Sequence, residues 1–189
     1  MNVIEYINSF VPLSEEAEKY ISATVRREIL PKNTLLHRAD EVCEKVYFIE
    51  KGLVRWFYCN ENGKEVTDSF ASENSFVTAF DSFFQRQPSR YFIEVLEDSI
   101  VYSMTAAEVE AELEEFPETQ KVTHLILVQI IEQMLNKNAA LQFRTAKERY
   151  RFVTEKHPEI LQRASLFHVA SYLGITPETL SRIRKNAIS

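Results

Sequence analysis

The spacing of apolar positions changes character twice along the chain. Residues 2–24 read as helical, with Ser14 capping the run EEAEKYISATV and acidic residues in its first turn. From Arg26 the pattern becomes short runs rich in Val, Ile, Phe, Tyr and Thr, bounded by turn residues: ILPKNTLLHRAD, KVYFIEKG, LVRWFYCNENG, KEVTDSFA, Tyr91–Val95 and Ser99–Met104. Asn62-Gly63 predicts a hairpin with a type I′ turn, since both residues tolerate positive φ, and Glu50-Lys51-Gly52 predicts a second, weaker one. Such strands imply an antiparallel sandwich, jelly roll or small barrel. Helical spacing returns at Thr105–Glu108, a capping box opening a short acidic helix toward Phe116. Pro117 starts a longer helix whose apolar residues between Val122 and Leu141 cover most of its circumference, so more than one side of it must be covered. A hinge is expected near Asn138–Arg144. Thr145–Glu148 is a second capping box, for a helix that Pro158 ends. The following PEILQRA reads as helical or irregular.

The last stretch, SLFHVASYLGITPETLSRIRK (Ser165–Lys185), predicts two short helices around a tight turn. Ser165 caps the first, in which Val169, Ala170 and Leu173 repeat at helical spacing. Gly174 supplies the left-handed stop, and Thr176, Pro177 and Glu178 are a cap, a first-turn proline and a dipole partner for the second. Leu180, Ile183 and Ala187 fall on one face of that helix, and Glu178, Ser181, Arg182 and Lys185 on the other. An apolar back and a partly basic front at a Gly-containing turn form a helix-turn-helix, whose front suits the major groove.

Charge changes this picture more than composition does. The net charge of −6 argues against a polyanionic partner, but it is unevenly spread. Residues 1–140 hold 13 Lys and Arg against 24 Asp and Glu; residues 141–189 hold 9 against 4. An acidic body carrying a basic module fits a protein that docks one end on nucleic acid. With 45% hydrophobic residues and 26% charged, the chain is ordinary for a globular protein. No apolar run approaches the ~20 residues of a membrane span and the N-terminus lacks a signal core, so a cytoplasmic protein with no membrane partner is expected. Cys43 and Cys59 form no metal-ligand spacing and are expected to be unpaired thiols.

VASYLGITPETLSRIRK resembles the DNA-reading motif of the CRP/FNR family of bacterial transcription regulators, and YFIEKGLVRWFY…NGKEVTDSF resembles that family's cyclic-nucleotide-binding β-roll. The likeness spans roughly residues 10–187, in the family's order. It implies an α+β fold: N-terminal helices and an antiparallel jelly-roll-like β-roll over 1–116, a dimerisation helix over 117–141, and a helix-turn-helix domain over 142–189. That last domain is winged-helix-like, with the wing reduced or absent because PEILQRA replaces its strands. The resemblance further implies a homodimer with a seam at Leu127, Ile131 and Met134, and a near-palindromic double-stranded DNA site. Glu178 and Arg182 would reach base edges, with Ser181 on the same front. Thr176 and Thr179 would lie nearer the phosphates, with Arg184 and Lys185 on the DNA backbone. RNA polymerase is a further partner it suggests.

The effector pocket is where the sequence departs from the family. Nucleotide-binding relatives carry Gly-Glu and, further along, Arg-Ser or Arg-Thr, holding the ribose and the cyclic phosphate. An ungapped alignment puts Thr78-Ala79 and Ser89-Arg90 at these positions, so the carboxylate is missing and the arginine has become serine. Arg90, one residue along a strand, points to the opposite face. Cyclic AMP is therefore not expected as effector, and no cofactor is predicted. The pocket is left empty, filled by aromatic side chains (Phe76, Phe80, Phe83 or Phe84), or adapted to another ligand. Two scattered cysteines do not make an iron–sulfur site, and the isolated His37 and His124 suggest no haem. A metal-dependent cupin enzyme would need several converging His, and the roll holds only His37. The remaining alternative is a sensor or scaffold module whose C-terminal helices bind a protein partner.

Overall fold

The computed structural model describes residues 1–188, and the side chains of residues 1–186. The helical stretch expected over 2–24 is two helices parted around Pro12: α1 (Val3–Asn8), capped by Asn2, and α2 (Glu15–Thr24), capped by Ser14. Eight strands follow: β1 (Arg26–Leu30), β2 (Leu35–His37), β3 (Lys45–Lys51), β4 (Val54–Cys59), β5 (Glu65–Ala71), β6 (Phe76–Val77), then, after the short helix α3 (Phe80–Phe83), β7 (Phe92–Val95) and β8 (Ser99–Thr105). They pair antiparallel into two four-stranded sheets ordered β1-β8-β3-β6 and β2-β7-β4-β5.

Two turn expectations are corrected. Glu50-Lys51-Gly52 does not close a hairpin, because β3 and β4 lie in different sheets. Gly52 carries the chain between them at φ 136°, and a Cβ there would stand 2.1 Å from Ser99 Oγ. The Asn62-Gly63 hairpin exists but is not a type I′ turn. Positive φ falls on Gly63 (72°) and not on Asn62. Asn60 N–H donates to Lys64 O at 3.0 Å, and Gly63 N–H to Asn60 O at 2.8 Å, a three-residue loop with glycine in the left-handed position. Asn60 Oδ1 favours this wider loop by accepting from the N–H groups of Asn62 and Lys64.

Three clusters of buried residues hold the molecule together. Between the sheets lie Cys43, Tyr47, Ile49, Val54, Val77 and Ile93, with Trp56 packed against them. Tyr47 and Ile49 face this core, while Phe48 between them faces outward onto Val3, Ile7, Ile21 and Val122. That double burial is why β3 reads as a nearly continuous apolar run. The third cluster, described below, joins the roll to the C-terminal helices.

Thr105 and Glu108 form both bonds of the expected capping box on α4 (Ala106–Glu115). Burial pushes the carboxyl of Glu112 on this helix up to about 7. Between the ordinary carboxylate range and that value, the folded protein holds a proton that the unfolded chain has lost. The stability from this group is complete at low pH and lost as pH rises through 7. Glu112→Gln is expected to stabilise the protein at pH 8 by about 2–3 kcal/mol and hardly at all at pH 4, measured by thermal denaturation at both values.

Helix α5 (Pro117–Phe143) runs unbroken through the expected hinge, and the chain becomes extended only at Arg144. Thr145 and Glu148 box the start of α6 (Ala146–Lys156). The segment PEILQRA forms α7 (Pro158–Arg163), and the chain ends in α8 (Leu166–Tyr172) and α9 (Pro177–Ile188).

Candidate nucleic-acid interface

Helices α8 and α9 are joined by a turn that local chemistry specifies almost completely. Ser165 Oγ accepts from His168 N–H at 3.1 Å, capping α8. At the other end Gly174 has φ 65°. Its N–H donates to Ser171 O and that of Ile175 to Ala170 O, both at 3.0 Å, the paired bonds of a Schellman motif. Arg149 of α6 adds a donor to Leu173 O at 3.0 Å. Thr176 Oγ1 then caps α9 by accepting from Thr179 N–H at 3.2 Å, and its hydroxyl also meets Thr179 Oγ1 at 3.2 Å. Bonds to its own N–H and to Thr176 keep the Glu178 carboxyl ionised below its ordinary range.

Burial separates the two faces of α9 as expected. Leu180 is 1% exposed, packed with Val169 and Ala170 of α8, its C-cap Leu173, Val153 of α6 and Ile160 of α7. Ile183 is half-buried, and the side chain of Ala187 lies outside the described residues. Thr176, Glu178, Arg182, Arg184 and Lys185 are exposed, and Thr179 and Ser181 are half-buried. The structure thus keeps the expected reading residues together on α9 and its cap, with Glu178, Arg182 and Lys185 repeating at helical spacing.

A set of contacts invisible in the sequence fixes this unit on the roll. Leu53 and Leu96 of the roll enter the same cluster as Leu173 and Leu180. Ser171 Oγ accepts from Thr67 N–H of β5 at 2.9 Å, and the Phe70 and Tyr172 rings meet edge-to-face at 5.3 Å. Arg163, the last residue of α7, forks onto two carboxylates: Nη1 and Nη2 donate to Glu73 at 2.9 and 2.8 Å, while Nε and Nη2 donate to Glu97. Glu73 also accepts from Gly52 N–H at 2.9 Å. Burial works to raise the Glu73 carboxyl, but the Arg163 and backbone donors outweigh it and bring it down to about 2.

At the effector position, Thr78, Ala79 and Ser89 are buried and Arg90 is exposed. Thr78 Oγ1 donates to Lys45 O at 2.9 Å, and its carbonyl accepts from Trp56 Nε1 at 3.0 Å. Ser89 Oγ donates to the Asp81 carboxylate at 3.0 Å and accepts from Tyr91 N–H. Thr78 and Ser89 therefore spend their hydroxyls on protein partners, and neither position brings a cation. The expected phenylalanines do not fill the space as a group. Phe76 packs outward on Tyr6 and Phe48, Phe84 is 54% exposed, and only Phe83 is buried. Tyr47 and Trp56 occupy the interior instead.

Along α5, Val122 is packed against the N-terminal helices, whereas Val128, Ile131, Met134 and Leu135 are exposed and Leu127 is half-buried. Lys137 ties the far half of the helix to the roll through Asp68 at 2.6 Å. The three expected seam residues thus lie on a stripe left open beside a helix already held on its inner side. His124 is exposed and His37 buried, and both cysteines are free. Among the described residues no cluster of His, Cys, Asp and Glu could hold a metal ion, and no helix is long and apolar enough to cross a membrane.

Residues 27–116 match the cyclic nucleotide-binding domain family. No curated protein sequence matches the chain. Solved structures do. The chain is similar to the c-di-GMP responsive global regulator CLP of Xanthomonas campestris, with 17% identity over 92% of this chain and 91% of that one and a TM-score of 0.71. It is similar to FixK2 from Bradyrhizobium japonicum, with 19% identity over 86% and 84% and a TM-score of 0.74. A protein assigned to the crp/fnr family of transcriptional regulators from Eubacterium rectale gives 15% identity over 96% and 87%, with a TM-score of 0.75. At these identities the likeness is one of fold, and it covers the roll, the long helix and the C-terminal helices together.

Proposed function

We propose that this chain, whose roll matches the cyclic nucleotide-binding domain and whose architecture is that of the CRP/FNR regulators, is a homodimeric, DNA-binding transcription regulator of the cytoplasm that works without cyclic AMP. The observation that carries the reading is α9 itself. Its first turn is capped by Thr176, its back is locked down by Leu180, and Glu178, Arg182 and Lys185 are held outward on one rigid face. A helix presented this way can lay its N-terminal half in a major groove. There Arg182 can pair with guanine and Glu178 can accept from cytosine, with Ser181 beside them. Thr176 and Thr179 stand at the helix start, where phosphate oxygens would be met, and Arg184 and Lys185 would follow the DNA backbone.

Arg182→Ala is expected to cost about 1–3 kcal/mol at a preferred guanine and to relax specificity at that position. Arg184→Ala or Lys185→Ala should weaken all sequences alike and lower the salt slope by about one. Fluorescence anisotropy with a selected operator and scrambled DNA, over a range of salt, separates the two effects. An unchanged sequence preference in Arg182→Ala would put the reading face elsewhere.

The absence of a role for cyclic AMP rests on the roll's interior. A cyclic phosphate needs a cation or several free donors, because a desolvated, unpaired charge is very costly. Ser89 here is bonded to Asp81 and Thr78 to Lys45, while Arg90 faces solvent. Calorimetric titration with cyclic AMP is expected to give no binding. A dissociation constant below about 10 μM, roughly −7 kcal/mol, would refute this part of the proposal.

A further inference from the structure

The outer face of the sheet β2-β7-β4-β5 carries charges that the C-terminal helices help to bury. Along β4, Val54 and Trp56 turn toward the core between the sheets, which puts Arg55 on the opposite face. A residue there ordinarily meets water, yet Arg55 is 4% exposed. Its Nε donates to Glu94 of β7 at 2.8 Å and its Nη2 to Glu65 of β5 at 2.7 Å. The guanidinium lies 4.0 Å over the ring of Phe57. Its Nη1 is buried and has no hydrogen-bond partner among the described residues.

Helix α8 packs against β5 on this side of the roll. Ser171 Oγ takes the N–H of Thr67, and Thr67 stands opposite Phe57 in the pairing of β4 with β5. His168 comes one turn before Ser171 and so shares its face of α8. His168 Nδ1 is likewise buried with no hydrogen-bond partner among the described residues. The charges that act on this imidazole come from every element around it: Arg55 of β4, Glu94 of β7, Glu65 of β5 and Lys32 ahead of β2. Lys64, in the loop between β4 and β5, stands 6.0 Å from the ring of the neighbouring Phe167. Both carboxylates are already bonded to Arg55, so a second cation in the seam finds little left to neutralise it. Burial, with Arg55 and Lys32 behind it, outweighs Glu94 and Glu65 and holds the imidazole below its ordinary value.

We propose that His168 is an acid-released latch between α8 and the roll: neutral, it closes the seam beside the Arg55 cluster, and protonated, it favours release of α8. Helix α9 leaves with α8, because Leu180 is packed on Val169 and Ala170. A proton shifts this equilibrium because the two states hold it differently. The released imidazole meets water and takes a proton near pH 6.5, about its ordinary value, whereas the docked one resists it. The docking that this group contributes is therefore complete above about 6.5 and is lost as pH falls through the docked value. One proton per chain loosens the seam by at most about tenfold per pH unit. From about pH 6.5 to 5 the fork of Arg163 does not contribute to the change, since Glu73 is held at about 2. The latch depends on the docking of α8 and not on what α9 binds, so it stands apart from the DNA-reading proposal.

The full chain is titrated by NMR from about pH 7.5 to 5, with the signals of its four histidines assigned. The His168 midpoint should fall below about 6.5, and the amide signals of Thr67 and Ser171 should move with that same midpoint. Hydrogen exchange, corrected for the intrinsic rate at each pH, should show protection of α8 and β5 falling by up to about tenfold per pH unit, with the β1–β8 pairing unchanged. In His168→Gln the protection of α8 and β5 should hold steady over the same range. A His168 midpoint at or above about 6.5 would overturn the proposal, and so would an equal loss of protection in His168→Gln. Should that variant fail to fold, the wild-type titration decides. Thr67 and Ser171 amides that do not follow the His168 midpoint would then rule the latch out.

Discussion

Ile131→Asp is expected to leave the protomer folded and to abolish both the dimer and tight operator binding. Ile131 is 54% exposed in the protomer, beside Met134 and Leu135 at 63%. A charge there meets water in the monomer, so the melting curve extrapolated to infinite dilution should hardly move. In a two-fold dimer the same substitution enters the seam twice, and each desolvated carboxylate carries a penalty of several kcal/mol with no cation facing it. Loss of the dimer removes the second half-site, and with it the effective concentration that makes bivalent binding tighter than either contact alone by about 10²–10⁴. Sedimentation should give a dimer for wild type at micromolar concentration and a monomer for the variant. A near-palindrome with half-sites ~34–36 Å apart should be bound tightly by the first and weakly by the second. A monomeric wild type would sink the seam and the bivalent reading together.

What was legible in the sequence was what is decided within a few residues. Ser14, Thr105, Thr145, Ser165 and Thr176 each cap the helix that their spacing predicts, and Gly174 takes the left-handed conformation that ends α8. Ser89 is buried and Arg90 exposed as expected, but not through a pleat: Arg90 sits at a bend ahead of β7, which begins only at Phe92. The misread elements were those whose outcome lies far along the chain. Lys51-Gly52 looks like a turn locally, but β3 finds its partners in β8 and β6, so Gly52 becomes a crossing between sheets. Asn62-Gly63 has two competing loop geometries, and the side chain of Asn60 selects the wider one. The fork of Arg163 onto Glu73 and Glu97 spans 90 and 66 residues. In a chain with 28 acidic residues, no local signal marks which two would receive it.

That fork carries the other large expected effect. Arg163→Glu should detach the C-terminal helices from the roll without unfolding either. Arg163 makes charge-assisted bonds to both carboxylates and is 22% exposed at its side chain, against 34% and 33% for Glu73 and Glu97. The substitution removes those bonds and places three carboxylates together. With partial solvent screening the cost should be about 2–4 kcal/mol, less at high salt. Val153, Ile160, Val169, Leu173 and Leu180 still pack on one another, and the roll keeps the cluster between its sheets, so each side keeps a core. Hydrogen exchange should quicken in α7, α8 and strand β5, and a protease should gain access near Ala164, while the β1–β8 pairing stays protected. Glu73→Arg in the same chain should restore part of the protection, since it returns one cation to the site. The pH dependence has a definite sign. Glu73 is held at about 2, below its unfolded value, so its contribution is complete above the ordinary carboxylate range and disappears as pH falls through 2. The gap between wild type and variant should therefore be constant from pH 8 to about 5 and close progressively below that. Equal exchange rates in wild type and Arg163→Glu at pH 7 would mean that apolar packing alone docks the C-terminal helices.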